Sequence, residues 1–178
     1  RIIIHHAETL DKDGNFYPDT LRLAKSVDTY ICNGEDQIFL PHFTFHGFRY
    51  IRVEGIDEMN LNMFTACVMH SDMETTGTFV TSNKKVNQLQ SNISWGMRDN
   101  FLDIPTDCPQ RDERLGWTGD AQVFSWTAAY NRNTALFFSK WMRDVSAESS
   151  LEKGVPHVVP DVLGQYSSSA LSLIHISE

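Results

Sequence analysis

The spacing of hydrophobic residues changes near Asp72, and that change limits the chain to a β-rich first part followed by helices. Before it, apolar residues recur at alternate positions in Ile38 to Leu40, in Phe43 to Val53 with a break at Gly47, and in Leu61 to Met69. Asp13-Gly14 and Asn33-Gly34 are tight-turn pairs, so several short strands are predicted, in the pattern of a sandwich. After Asp72 the steps become three and four. Val86, Leu89, Ile93, Met97 and Phe101 predict a helix capped by Ser82 or Asn83 and ending before Pro105. A second helical pattern, starting near Asp112, runs through Leu115, Val123, Trp126 and Tyr130. A third, capped by Thr134, runs through Phe137, Phe138, Trp141, Met142 and Val145. Gly154 to Gly164, with Pro156 and Pro160, reads as a loop. The expected domains are residues 1–72 and 73–166; the Ser-rich stretch and the apolar run after it, residues 167–178, are expected to be a non-native tail of vector or adaptor origin.

Composition narrows the function classes. The chain has 178 residues, 41% hydrophobic and 21% charged, enough apolar material to fill a core. Its formal net charge of -8 opposes a phosphate backbone, and no Lys/Arg run with interleaved aromatics occurs, which excludes nucleic acid as a partner. No apolar run approaches the roughly 18 residues that span a bilayer, so no membrane partner is expected. Cys32, Cys67 and Cys108 are odd in number and lack CxxC spacing, so free thiols are expected rather than a disulfide framework or zinc site. The chain begins at Arg1 without an initiator Met, as the interior of a longer protein would. The compartment and oligomeric state are left open.

The densest group of functional side chains lies between Pro105 and Asp120, where Asp107, Asp112, Glu113 and Asp120 supply four carboxylates. If the segment from Asp112 is helical, Glu113, Trp117 and Asp120 stand at i, i+4 and i+7 on one face. An indole covers the C–H face of a pyranose, carboxylates accept from its hydroxyls, and glycosidic cleavage needs a carboxylic acid to protonate the leaving oxygen. Glu113 beside Trp117 fits that acid role. The crowded carboxylates are expected to keep one carboxyl protonated near neutral pH, with Arg111 and Arg114 opposing this. The plain structural alternative has Asp107 capping a helix, Asp112 and Glu113 favouring its positive end, Arg111 and Arg114 paired at the surface, and Trp117 in the core. Gly116 and Gly119 weigh against it, because each costs a helix about 1 kcal/mol relative to Ala and so signals close approach to the backbone.

Other chemistries fit less well. His5, His6 and Glu8, or His42 and His46, could be offered as metal ligands, but His5 and His6 point to opposite faces if extended. His42 and His46 would lie roughly 13 Å apart along a strand. No metal and no cofactor are expected. Cys108 has an acidic neighbour and no His within the motif, so it reads as packing rather than a nucleophile. A non-catalytic carbohydrate-binding module would use Trp117 without needing the acids. A retaining glycosidase would draw both acids from the motif, with Glu113 about 5–5.5 Å from Asp107 or Asp120.

The chain resembles the bacterial α-L-rhamnosidases of glycoside hydrolase family 78. The resemblance runs from His6-Ala7-Glu8 through Asp13-Gly14, Leu21-Arg22-Leu23-Ala24, Asp28-Thr29-Tyr30, Phe43-Thr44-Phe45-His46-Gly47-Phe48-Arg49-Tyr50 and the segment from Asp107 to Asp120, to about Pro160. It implies the end of a β-sandwich domain followed by the first helical hairpins of an (α/α)6 catalytic barrel, truncated here. It also implies inverting hydrolysis of terminal α-L-rhamnosides, with Glu113 as general acid, Asp107, Arg111 and Asp120 on the rhamnose hydroxyls, and Trp117 walling the pocket. Inversion needs a second carboxylate as base, roughly 6.5–9.5 Å from the first. The resemblance places that base beyond this chain, so the chain alone is expected to be inactive. It would also expose Trp126, Phe137, Phe138 and Trp141 on unpacked helix faces.

Overall fold

The computed structural model describes residues 1–152 and 154–164, so the expected tail lies outside the described residues. The chain falls into two compact units. One comprises Arg1–Val68 with Cys108–Glu113, and the other Met69–Asp107 with the residues from Arg114 on.

The first unit is built on a three-stranded antiparallel sheet in the order β4 (Val27–Tyr30), β1 (Ile2–Ala7), β5 (Tyr50–Glu54). β1 is central because its Ile, His and Ala residues pair on both sides, Ile4 with Asp28 and with Val53. A small hairpin, β2 (Thr9–Leu10) and β3 (Phe16–Tyr17), turns at Asp13-Gly14, where Gly14 takes a φ of 84°. The strands expected at Ile38 to Leu40 and Leu61 to Met69 do not form, and only Tyr50 to Val53 of the Phe43 to Val53 run is strand. Their alternation has no facing layer among the described residues: Ile38 is 97% exposed and Leu61 82%. A half-buried pattern without a surface to bury against gives no net stabilisation to offset the ordering of the backbone.

Hydrogen bonding holds this unit as much as apolar burial does. The Ser26 carbonyl accepts from the His6 backbone N–H at 2.9 Å and from His6 Nδ1 at 3.2 Å. His46 Nε2 donates to Asp28 Oδ1 at 3.1 Å, which leaves Nδ1 to accept from Ser26 Oγ at 3.2 Å in the neutral ring. The two imidazoles stack, with centroids 4.2 Å apart and planes at 22°.

The second unit is helical. Asn83 caps α1 (Lys84–Asn100), its side chain accepting from the Lys85 N–H at 2.9 Å, and Thr81 and Asn87 bond reciprocally across the first turn. The helix stops at Phe101, and a short hairpin, β6 (Phe101–Leu102) and β7 (Ile104–Pro105), turns at Asp103. α2 (Thr118–Asn131) and α3 (Ala135–Glu148) follow. Thr134 occupies the cap position of α3, but its side chain makes no capping bond; its carbonyl accepts from Phe138.

Two apolar clusters form the core. Met97, Phe101, Ala128 and Phe137 make one, with the Phe101 and Phe137 rings stacked at 4.7 Å. Ala121, Trp141, Val145 and Val159 make the other. Each large side chain buried here contributes about 1.5–3 kcal/mol. Phe137 and Trp141 are therefore buried, and Phe138 is packed against both clusters, which corrects the expectation that they stand exposed. Only Trp126 of that set is open, at 73%. The expected stripe of α2 is likewise the wrong one: Val123, Trp126 and Tyr130 face out, whereas Ala121, Phe124 and Ala128 meet the core. The small alanines let α2 approach its neighbours closely, and shape overrides bulk hydrophobicity. Among the described residues no helix is long and apolar enough to cross a membrane.

The His6 ring gives a pH signature. Burial, then the neighbouring His46, hold its pKa below 6.5, against opposing contributions from the Ser26 carbonyl and Asp28; His5 adds to the lowering. The unfolded chain takes up a proton near pH 6.5 while the folded one does not, so stability is lost as pH falls through that range. Urea midpoints measured from pH 7.5 to pH 5 should therefore decline more steeply for the wild-type chain than for His6→Gln; equal slopes would refute this.

Candidate active site

The acidic segment enters from the second unit. Asp103, at a φ of 66°, places its N–H on Ser71 Oγ at 2.9 Å, and Ser71 in turn donates to the Phe101 carbonyl at 2.8 Å. The Asn100 carbonyl accepts from the Thr106 N–H at 2.9 Å and from its hydroxyl at 3.1 Å. These bonds fix the backbone immediately before Asp107, which is half-buried.

Cys108 to Glu113 belong to the first unit. Cys108 is a buried cysteine, as expected of packing. Pro109 and Gln110 lie against Gly47: a Cβ there would come within 2.7 Å of Pro109 Cγ and 3.1 Å of Gln110 Cβ. Glu113 stands in a turn, not a helix. Its Oε2 accepts from Arg22 Nη1 at 2.9 Å and pairs with Arg111 Nε at 3.1 Å. The side chains of Arg22, Arg111 and Glu113 are 57%, 32% and 34% exposed, so solvent screens these pairs and each is worth at most about 1 kcal/mol. Their effect is on orientation.

Gly116 to Asp120 return to the second unit. The Gly116 carbonyl accepts from the Val159 N–H at 2.8 Å, Trp117 bridges Val158, and the His157 carbonyl accepts from the Thr118 N–H at 2.9 Å. This pairing holds residues 116 and 117 extended and starts α2 at Thr118. A helix from Asp112 is thereby ruled out, and with it the face that was to align Glu113, Trp117 and Asp120. Trp117 is the N-cap residue, and Asp120 is an exposed acid in the first turn, where the positive end of the helix favours it. The close approach signalled by Gly116 is real: a Cβ would lie 2.2 Å from the Val159 carbonyl oxygen.

A second cluster joins residues that spacing had kept apart. Ligand atoms of His6, Asp28 and His46 lie within 4.8 Å of one another. His6 Nε2 is 4.0 Å from Asp28 Oδ2. Sequence reasoning paired each histidine with its own neighbours in the chain, whereas strand pairing joins β1, β4 and the loop before β5. In the neutral rings His46 Nε2 donates to Asp28 and His6 Nδ1 to the Ser26 carbonyl, so hydrogen bonds tie the three segments together.

Residues 1–70 match the bacterial alpha-L-rhamnosidase concanavalin-like domain, and residues 74–171 the bacterial alpha-L-rhamnosidase 6 hairpin glycosidase domain. The chain belongs to the bacterial alpha-L-rhamnosidase family. It is 50% identical over 171 residues to an alpha-L-rhamnosidase of Formosa agariphila, a match covering 93% of this chain and 18% of that protein. Similarity to an alpha-L-rhamnosidase of Streptomyces avermitilis is 44% over 161 residues, covering 89% of this chain and 16% of that protein. The solved alpha-L-rhamnosidase from Dictyoglumus thermophilum superposes with a TM-score of 0.89 at 37% identity, over 94% of this chain and 19% of that one. That of Streptomyces avermitilis complexed with L-rhamnose gives 0.85 at 44%, over 90% and 16%. The chain thus spans less than a fifth of the length of these rhamnosidases.

The rhamnosidase segment depends on the contact at Gly116. Gly116→Ala is expected to cost about 3 kcal/mol, because backbone must move. Gly96→Ala, within α1 and with nothing within 4 Å of the added methyl, should gain about 0.5–1 kcal/mol. Chemical unfolding of both variants checks the contrast; similar effects of the two would refute it.

Proposed function

We propose that the whole protein to which this chain belongs is an inverting glycosidase acting on terminal α-L-rhamnosides. What carries the reading is Glu113, a half-buried carboxyl whose Oε2 pairs with two guanidinium groups, within a segment matched to a glycosidase domain. The relative from Streptomyces avermitilis, solved with L-rhamnose, supports the choice of sugar.

Glu113 acts as general acid. It delivers its proton to the glycosidic oxygen as the bond to the anomeric carbon breaks, and a second carboxylate, supplied from outside these 178 residues, takes a proton from the attacking water. Asp107, Arg111 and Asp120 hold the sugar hydroxyls, charged groups forming the stronger class of hydrogen bond. Trp117 presents its indole to the C–H face of the ring. α1 to α3 are read as the opening hairpins of a six-hairpin ring, and the sheet as the end of a sandwich domain. No cofactor enters.

Three measurements test this. In the full-length protein, Glu113→Gln should lower kcat on an alkyl α-L-rhamnoside, whose leaving oxygen needs a proton, by about 10²–10⁴-fold with folding intact. The first-formed sugar should be the β anomer, and the 178-residue chain alone should show no turnover. Retained activity in Glu113→Gln would remove the acid role. A first-formed α anomer would point to retention, and rhamnose binding without hydrolysis by the full-length protein would favour a carbohydrate-binding role.

A further inference from the structure

Resting on that reading, we propose that Arg22, a residue of the β-rich unit, is a positioning residue that fixes the Glu113 carboxyl for proton delivery. Three observations carry it. Arg22 donates to Glu113 Oε2 at 2.9 Å across 91 positions of sequence. Arg111 reaches the same oxygen at 3.1 Å. Guanidinium groups have donors and no acceptor, so both attract Oε2 and together restrict the rotation of the carboxyl. The clamp sets the plane in which the carboxyl is presented.

The third observation is the backbone of Arg22. It takes φ 56° and ψ -116°, next to the Asp19–Leu21 3-10 turn, and the Leu21 carbonyl accepts from the Ala24 N–H at 3.1 Å. These are the dihedrals of the first central residue of a type II′ turn, where glycine is the residue without strain. A large side chain here costs folding energy. The ion pair it makes is too exposed to return that cost as stability. Strain retained at such a position is explained by what the side chain does once placed.

A glycine at this position separates the alternatives, since it relieves the backbone while deleting the guanidinium. In the full-length protein, Arg22→Gly is expected to keep or raise Tm. It should lower kcat on an alkyl α-L-rhamnoside at least tenfold, lower it much less on a nitrophenyl α-L-rhamnoside that leaves unaided, and change KM less than twofold. Arg22→Lys, which restores one donor, should recover part of kcat. Glu113→Gln is measured alongside. If it abolishes alkyl-rhamnoside hydrolysis while Arg22→Gly does not alter kcat, positioning is overturned and the acid assignment stands. If Glu113→Gln leaves activity intact, the functional reading itself falls. A lower Tm or failure to fold for Arg22→Gly, or equal losses on both substrates, assigns Arg22 a structural role and overturns the proposal.

Discussion

The pairing of Gly116 and Thr118 with residues 157 to 159 sets most of the helical unit. Two backbone bonds, at 2.8 and 2.9 Å, flank the Trp117 to Val158 bridge and hold an extended segment directly before a helix. That segment cannot be helical, so α2 begins at Thr118, and the Thr118 hydroxyl adds bonds to the Pro156 and His157 carbonyls at 3.1 Å. Val158 and Val159 become fully buried as a result. The Val159 carbonyl accepts from Trp141 Nε1 at 3.3 Å, which seats the largest aromatic of α3 in the second cluster. A loop without regular structure thus supplies core residues and fixes two helices, because its polar groups are satisfied by the chain it covers.

The β-rich unit solves a different problem with side chains. It buries few large apolar groups; Ala7, Leu21, His6 and Ser26 are among its buried residues. Ser26 acts twice, through its carbonyl to His6 and its hydroxyl to His46, and Asp28 accepts from His46. Every member has a partner, which is the condition under which a buried polar cluster specifies a structure instead of destabilising it. His46 then fixes the adjacent Gly47, whose missing side chain is the space taken by Pro109 and Gln110. The route from strand pairing to the turn holding Glu113 passes through a glycine.

These two devices explain what the sequence disclosed and what it concealed. The helical periodicity after Asp72 was legible, since α1 to α3 all lie beyond it. So were α1 with its Asn83 cap, the loop from Gly154, and the closeness signalled by Gly116. The start of α2 was not, because the partner that forces residues 116 and 117 to stay extended lies forty residues later and no local propensity encodes it. The core face of α2 was concealed for a related reason. Periodicity ranks Trp126 and Tyr130 above Ala121 and Ala128, although close packing selects the small residues. The histidine cluster joins three segments, and spacing within one segment says nothing about it. Arg22 was visible only as part of a resemblance; its turn geometry needs coordinates.

The candidate acid therefore rests on an arrangement different from the one periodicity suggests. A helical face would have tied Glu113, Trp117 and Asp120 to one rigid element, so that any change in the helix moved all three. Instead Glu113 stands in a turn, Trp117 at a helix cap and Asp120 in a first helical turn. Each is held by different partners: guanidinium groups, a backbone bridge and a helix terminus. Placement by side-chain pairs leaves the Glu113 carboxyl adjustable through Arg22 and Arg111 without disturbing the backbone pairing that carries Trp117. Substitutions at Gly116 act on folding, whereas substitutions at Arg22 or Glu113 remove half-exposed groups whose loss the core does not feel. The same short segment thus holds Gly116, whose backbone contact bears on folding, and Glu113, the proposed acid, with two residues between them.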